Sequence, residues 1–213
     1  LKISVLNSAH KISLLKLLPL AAVMLAACTT TPPSKFVASQ PTPQWEVHQQ
    51  AVQKITQYQA RGSFAYLSSQ KKVYARFFWQ QYSPERYKLL LTNPLGSTEL
   101  ELNVAPGLIQ VMDNKGQRYV SDNLDETLQN LTGMALPLES MRLWMLGLPS
   151  DSKKIQLNDQ NLLQQTELEN DGKLWSINYQ GYNTQIAPAL PNRLDLTQDD
   201  LRIKLKIDSW TLQ

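Results

Sequence analysis

The chain's 213 residues are too many for a peptide and about right for one domain behind a targeting segment. Its formal charge of +3, from 21 basic and 18 acidic residues, rests on Lys2, Lys11 and Lys16 at the front. Without them the balance is zero, so charge lends no support to a nucleic-acid partner, and the single cysteine excludes an internal disulfide.

Behind the basic region lies the apolar run Leu17 to Ala27, about half of the ~20 residues a transmembrane helix needs. It reads as the core of a secretory signal. The run closes on Leu25-Ala26-Ala27-Cys28, and small residues before a cysteine, with leucine at the third position back, form the bacterial lipobox. The expected processing is cleavage before Cys28, diacylglycerol on its thiol and an acyl chain on its new amine. These covalent groups are the only non-protein components expected; no cofactor and no metal is. Thr29 stands where an aspartate would resemble an inner-membrane retention signal, so the expected address is the periplasmic face of the outer membrane, held by the lipid anchor. Leu1 occupies the place of an initiating Met, as an alternative start codon or a trimmed end would leave it. Thr30-Thr31-Pro32-Pro33-Ser34 and Pro41-Thr42-Pro43 make a polar, Pro-rich tether that reaches about 50 Å at ~3.3 Å per residue. The expected organisation is a signal over 1–27, the lipidated cysteine and tether over 28–43, and a single domain over 44–213.

Trp45, His48, Val52 and Ile55 recur at helical spacing and predict a helix over Trp45 to Tyr58. Alternation then predicts strands. Phe64 and Tyr66 share one side of Arg61 to Ser68, and Phe77 and Trp79 share one side of Lys72 to Gln81. Tyr87, Leu89 and Leu91 oppose Arg86 and Lys88, while Leu100 and Leu102 oppose Glu99 and Glu101. Between the last two strands, Asn93-Pro94-Leu95-Gly96 fits a type I turn with a leucine near its tip. Loop tips are usually polar, so Leu95 either folds back onto the body or offers an apolar tip to a membrane or partner. Leu108 to Met112 and Gln117 to Val120 flank the hairpin turn Asp113-Asn114-Lys115-Gly116.

The strand pattern breaks at two predicted helices, Leu124 to Thr132 and Leu138 to Leu146, stopped by Gly147-Leu148-Pro149. This insert is rich in Met and Leu, with Met134, Met141, Trp144 and Met145. Strands resume at Ile155 to Leu157, Leu162 to Glu169, Leu174 to Tyr179 (the last two joined at Asn170-Asp171-Gly172), Arg193 to Leu196 and Leu201 to Trp210. So many antiparallel strands with one apolar face imply a mainly β protein with some α, built on one large curved sheet whose concave side the helices cover. The interior is then either an ordinary core or a hollow lined by adaptable methionines.

Catalytic signatures are missing. His48 is the only histidine behind the signal, there is no HxxxH, CxxC or GxSxG, and Asp199-Asp200 reads as a solvated turn. An enzyme is not expected.

Several runs resemble one family: Tyr74 to Gln80, Leu89 to Thr98, Asp113 to Tyr119, Leu131-Thr132-Gly133, Trp144 to Pro149 and Ile203 to Trp210, in that order behind a lipobox. The chain is similar to the LolB family of outer-membrane lipoprotein receptors. The resemblance implies an incomplete, half-open antiparallel β-barrel closed by a few helices around a hydrophobic cavity for lipoprotein acyl chains. It implies as partners the periplasmic carrier LolA, lipoprotein cargo and outer-membrane phospholipid, with cargo inserted in the inner leaflet without ATP by a monomer. Domain 44–213 is then the lipoprotein-binding part. Leu95 matches the family's exposed loop leucine, linked to membrane delivery, with Pro94 and Gly96 beside it. The cavity candidates come from strand alternation, not from the family: Phe77, Trp79, Tyr87, Leu89, Leu91, Leu100, Leu102, Trp175 and Ile177, with Met134, Leu136 and Trp144 on the lid. The alternative is a structural or assembly-scaffold lipoprotein with a filled core.

Overall fold

The computed structural model describes residue 36, residues 38–170 and residues 172–213. The expected signal, Cys28, the first part of the tether and the centre of the turn at Asp171 lie outside the described residues.

Helix α1 spans Pro43–Gln53. Thr42 caps it, its hydroxyl oxygen accepting from the Trp45 N–H at 3.1 Å, and Pro43 enters the first turn where its missing N–H costs nothing. The helix stops short of the predicted Tyr58 because Tyr58 is committed elsewhere: it opens β1 (Tyr58–Leu67), paired with Gln81 and Leu212, and is buried. The segment before α1 runs along an edge strand of the sheet, β7 (Lys154–Leu157). The Ser39 N–H donates to the Ile155 carbonyl at 2.7 Å, and the Leu157 N–H donates to the Ser39 hydroxyl at 3.2 Å.

From β1 the chain meanders outward through β2 (Lys72–Ser83), β3 (Arg86–Thr92), β4 (Thr98–Ala105), β5 (Leu108–Asp113) and β6 (Arg118–Ser121). It then forms α2 (Leu124–Thr132) and α3 (Leu138–Met145), crosses to β7, and meanders back through β8 (Leu163–Asn170), β9 (Lys173–Asn183), β10 (Leu190–Gln198) and β11 (Leu201–Leu212). Strand β11 pairs with β1, so the two meanders join into one eleven-stranded antiparallel sheet, and β6 and β7 are its two edges. The sheet is not closed into a barrel.

Strands β9 and β10 run beyond the predicted Leu174–Tyr179 and Arg193–Leu196. Gln180 to Asn183 carry no apolar alternation, and Pro191 reads as loop. The ladder accommodates the proline by shifting register between Pro191 and Leu194, where a missing N–H is tolerated. At Gly62 a side chain is forbidden by contact: a Cβ there would lie 1.9 Å from the Lys206 carbonyl oxygen, where β1 shifts register against β11. Alternation holds along the strands, so one face, with Phe64, Phe77, Trp79, Leu91 and Leu205 on it, turns inward beneath the insert.

Candidate functional site: a closed apolar interior and an exposed loop

All the residues expected to line a cavity are buried in one continuous core. The space between sheet and insert is nearly closed, with a void of about 10 Å³. Phe77, Trp79, Leu89, Leu91 and Leu136 line it, joined by Phe64, Leu138, Met141, Met145 and Leu205. Tyr87, Leu100, Leu102, Met134, Trp144, Trp175 and Ile177 pack in the same core without lining the void. The lining residues outside the candidate set had a signal of their own. Phe64 and Leu205 stand on the apolar sides of their strands, and Met141 and Met145 belong to the Met-rich insert. A void this small is about one water-sized sphere, and its walls offer a water nothing to bond.

Aromatic rings stiffen the interior. Trp79 stacks on Tyr87 with ring centroids 4.7 Å apart, and the Trp79 indole N–H donates to the Gln81 side-chain oxygen at 3.1 Å. Trp144 of α3 meets Trp175 of β9 at 5.9 Å. Burial, the larger effect, and then the charge of Glu139 on α3 hold the Tyr87 hydroxyl well above the usual phenol range. Among the described residues, the Tyr179 hydroxyl and the Trp144 indole nitrogen have no hydrogen-bond partner, which leaves the interior polar in places but unsatisfied.

The insert is tied to the sheet mainly by apolar contact. Its polar ties include those from the Lys71 ammonium to the Thr132 carbonyl, from the Thr127 hydroxyl to the Ser121 hydroxyl of β6 at 2.7 Å, from the Ala135 N–H to the Tyr66 hydroxyl at 3.3 Å, and from the Tyr58 hydroxyl to the Arg142 carbonyl at 3.5 Å. Gly133 ends α2 in the left-handed region at φ +66°, a conformation that suits glycine and turns the chain into the segment carrying Met134 and Leu136.

The β3–β4 loop is built as its sequence suggests. The Gly96 N–H donates to the Asn93 carbonyl at 2.9 Å, closing the turn. The Asn93 side-chain oxygen accepts from the Leu95 and Ser97 N–H groups, both at 3.0 Å. Gly96 takes φ +91°, and Pro94 presets the turn. Leu95 does not fold back: it is 93 % exposed, the most exposed of the large apolar residues among the described residues.

His48 is half-buried on α1 beside Trp45, and desolvation lowers its pKa below the ordinary imidazole value. Asp199 and Asp200 form the exposed β10–β11 turn, where the Asp200 carboxylate accepts from the Ser69 N–H at 3.1 Å.

An open antiparallel sheet with helices closed over its apolar face is a class of fold that solved structures share. A LolA superfamily protein from Nitrosomonas europaea superposes with a TM-score of 0.53 over 83 % of this chain and 94 % of its own, at 11 % identity, a likeness of fold alone. The family model "Outer membrane lipoprotein LolB" matches residues 56–210. Proteins named outer-membrane lipoprotein LolB are similar along nearly their whole length. That of Serratia proteamaculans is 59 % identical over 96 % of this chain and 99 % of its own. That of Yersinia enterocolitica is 57 % identical over the same shares. The chain belongs to the LolB family of outer-membrane lipoproteins, which serves lipoprotein localisation and is not a family of enzymes.

Proposed function

We propose that the protein is the outer-membrane receptor of lipoprotein sorting. It takes lipoproteins from the periplasmic carrier LolA, holds their acyl chains between sheet and insert, and places them in the inner leaflet of the outer membrane. Family membership supports the task. The observation that carries the mechanism is an apolar interior shut by a Met- and Leu-rich insert with few polar ties.

A void of about 10 Å³ takes no acyl chain, so the insert has to move. Opening to water uncovers Leu136, Leu138, Met141 and Met145 at ~1.5–3 kcal/mol each, on the order of 10 kcal/mol together. Opening against acyl chains exchanges one apolar neighbour for another and avoids most of that cost. The interior therefore opens to cargo and stays shut to water, while the flexible methionines conform to different chains.

The periplasm offers no ATP, so direction comes from rising affinity along carrier, receptor and bilayer. A difference of ~1.4 kcal/mol gives a tenfold bias, which about two buried methylenes at ~0.8 kcal/mol supply. Three acyl chains on Cys28 anchor the receptor at the outer membrane, with the Pro-rich tether giving reach. Leu95, worth ~1.5–3 kcal/mol when buried, is too weak an anchor and suits a reversible dip that couples release to the leaflet. One copy of domain 44–213 is sufficient for this cycle.

The small void also favours a second reading, a scaffold with a filled core. Transfer decides between them. A labelled lipoprotein loaded on the carrier is mixed with the full chain without ATP, and the receptor reading expects the label to change partner. No transfer, together with no uptake of a fluorescent acyl probe, leaves the scaffold.

A further inference from the structure

The outer face of the sheet carries a second feature, a groove of about 470 Å³ across β2, β1, β11 and β10. It exists because β1 presents small side chains there, Ser63 and Ala65, between longer ones on its neighbours. Register puts Arg76, Ser63, Lys206 and Arg193 in one cross-strand row and Tyr74, Ala65, Lys204 and Asp195 in the next, where the buried Asp195 carboxylate is paired with Arg202. Four cations thus border an apolar floor. The Asp208 carboxylate meets Arg76 at 3.1 Å and Lys206 at 3.0 Å, while Arg193 and Lys204 have no ion-pair partner among the described residues. Pro94, in the loop that carries Leu95, forms part of the wall.

We propose that this groove seats the headgroup of an anionic phospholipid of the membrane that Leu95 touches. The proposal rests on the reading of Leu95 as a membrane tip. Three observations select this occupant. The unpaired charge of Arg193 and Lys204 complements a phosphodiester. The Tyr74 ring, the Ala65 methyl and the aliphatic stems of the lysines suit the glycerol and first methylenes of a lipid, where a free anion or an acidic protein surface would leave them idle. The shared loop places the groove beside the residue that enters the leaflet, at headgroup depth. Basic side chains at an anionic surface bind in proportion to their number and lose grip with salt.

The test uses the full chain, purified from cell envelopes and reconstituted in phosphatidylcholine vesicles with increasing phosphatidylglycerol. Tyr74→Cys carries an environment-sensitive fluorophore. Spin-labelled phosphatidylglycerol is expected to quench it at lower mole fraction than spin-labelled phosphatidylcholine. In Arg193→Gln and Lys204→Gln the half-quenching fraction should rise about five-fold for each charge removed. Equal quenching by the two lipids overturns the proposal, as does a preference that survives the double variant. A full response to soluble glycerol phosphate without vesicles also overturns it, since that marks a free-anion site. Lipoprotein transfer is measured on the same vesicles. Normal transfer without lipid preference defeats the groove and leaves the receptor, whereas lipid preference without transfer supports the groove and defeats the receptor.

Discussion

Leu95 is held out by its own loop: Asn93 spends its side-chain oxygen on two backbone N–H groups, and the closed turn leaves the leucine with no protein surface to cover it. An apolar side chain so placed gains free energy only from something outside the chain. On the proposed membrane-tip role, Leu95→Glu places a charge where the tip would meet lipid, at a cost of a few kcal/mol. We expect that variant to accept lipoproteins from the carrier normally and to fail in delivering them to vesicles; undiminished delivery would refute the loop's role. His48 supports a prediction about pH. Desolvation lowers its pKa in the folded chain below the ordinary 6.5, so as pH falls through that value the unfolded chain takes up a proton that the folded chain refuses. Stability should therefore decline as pH falls below the ordinary imidazole value, and His48→Gln should flatten that part of the curve in thermal melts at stepped pH. The carboxylates of Asp208, held low chiefly by Lys206, and Glu101, held low chiefly by Lys88, act at lower pH. Their contribution is full above the ordinary carboxylate range and disappears as pH drops through their depressed values.

At the scale of elements, the insert is a part with few polar ties to the sheet. Strand pairs are fastened along their length by ladders, whereas α2, α3 and their connection lie on the sheet by side-chain packing and a few hydrogen bonds. The bond from the Ala135 N–H to Tyr66 fixes the connection where Met134 and Leu136 turn inward. Tyr66→Phe keeps the ring and removes the acceptor, at about 1 kcal/mol, which shifts the balance between shut and open about five-fold. Amide exchange in the 133–137 segment should quicken by roughly that factor and acyl-probe uptake should accelerate, with the melting temperature lowered by a few degrees at most. Unchanged exchange in this segment would mean that packing alone holds the insert.

For the whole molecule, joining β11 to β1 matters most. It makes one sheet of two meanders and leaves the edges β6 and β7 apart, so the curved face stays open and needs the insert as its cover. The incoming chain pairs with β7 through Ser39 before α1 begins, so that edge is partly covered by the end of the tether. Because the described core is complete without Cys28, Cys28→Ala carried to the periplasm by an ordinary signal is expected to give a folded protein that no longer fractionates with membranes. Circular dichroism and flotation of vesicles check both halves. An unfolded product would place the anchor segment inside the folding unit.

Local patterns determined much of this. Alternation marked the buried face at Phe77, Trp79, Leu89 and Leu91, the Asn-Pro-x-Gly spacing marked the turn that presents Leu95, and helix signals placed α2 and α3 within a residue. These are legible because each depends on neighbours within a few residues. Tertiary structure alone decided that β1 lies between β2 and β11, that Tyr58 leaves the helix for the sheet, and that Pro191 sits within a strand. It also decided that the insert closes down to a void of about 10 Å³, and that Arg193 comes to face Ser63 across Lys206. The reason is physical. Alternation specifies which face of a strand is apolar, but strand order, register and the fit of side chains across the interior depend on contacts between residues far apart in the chain.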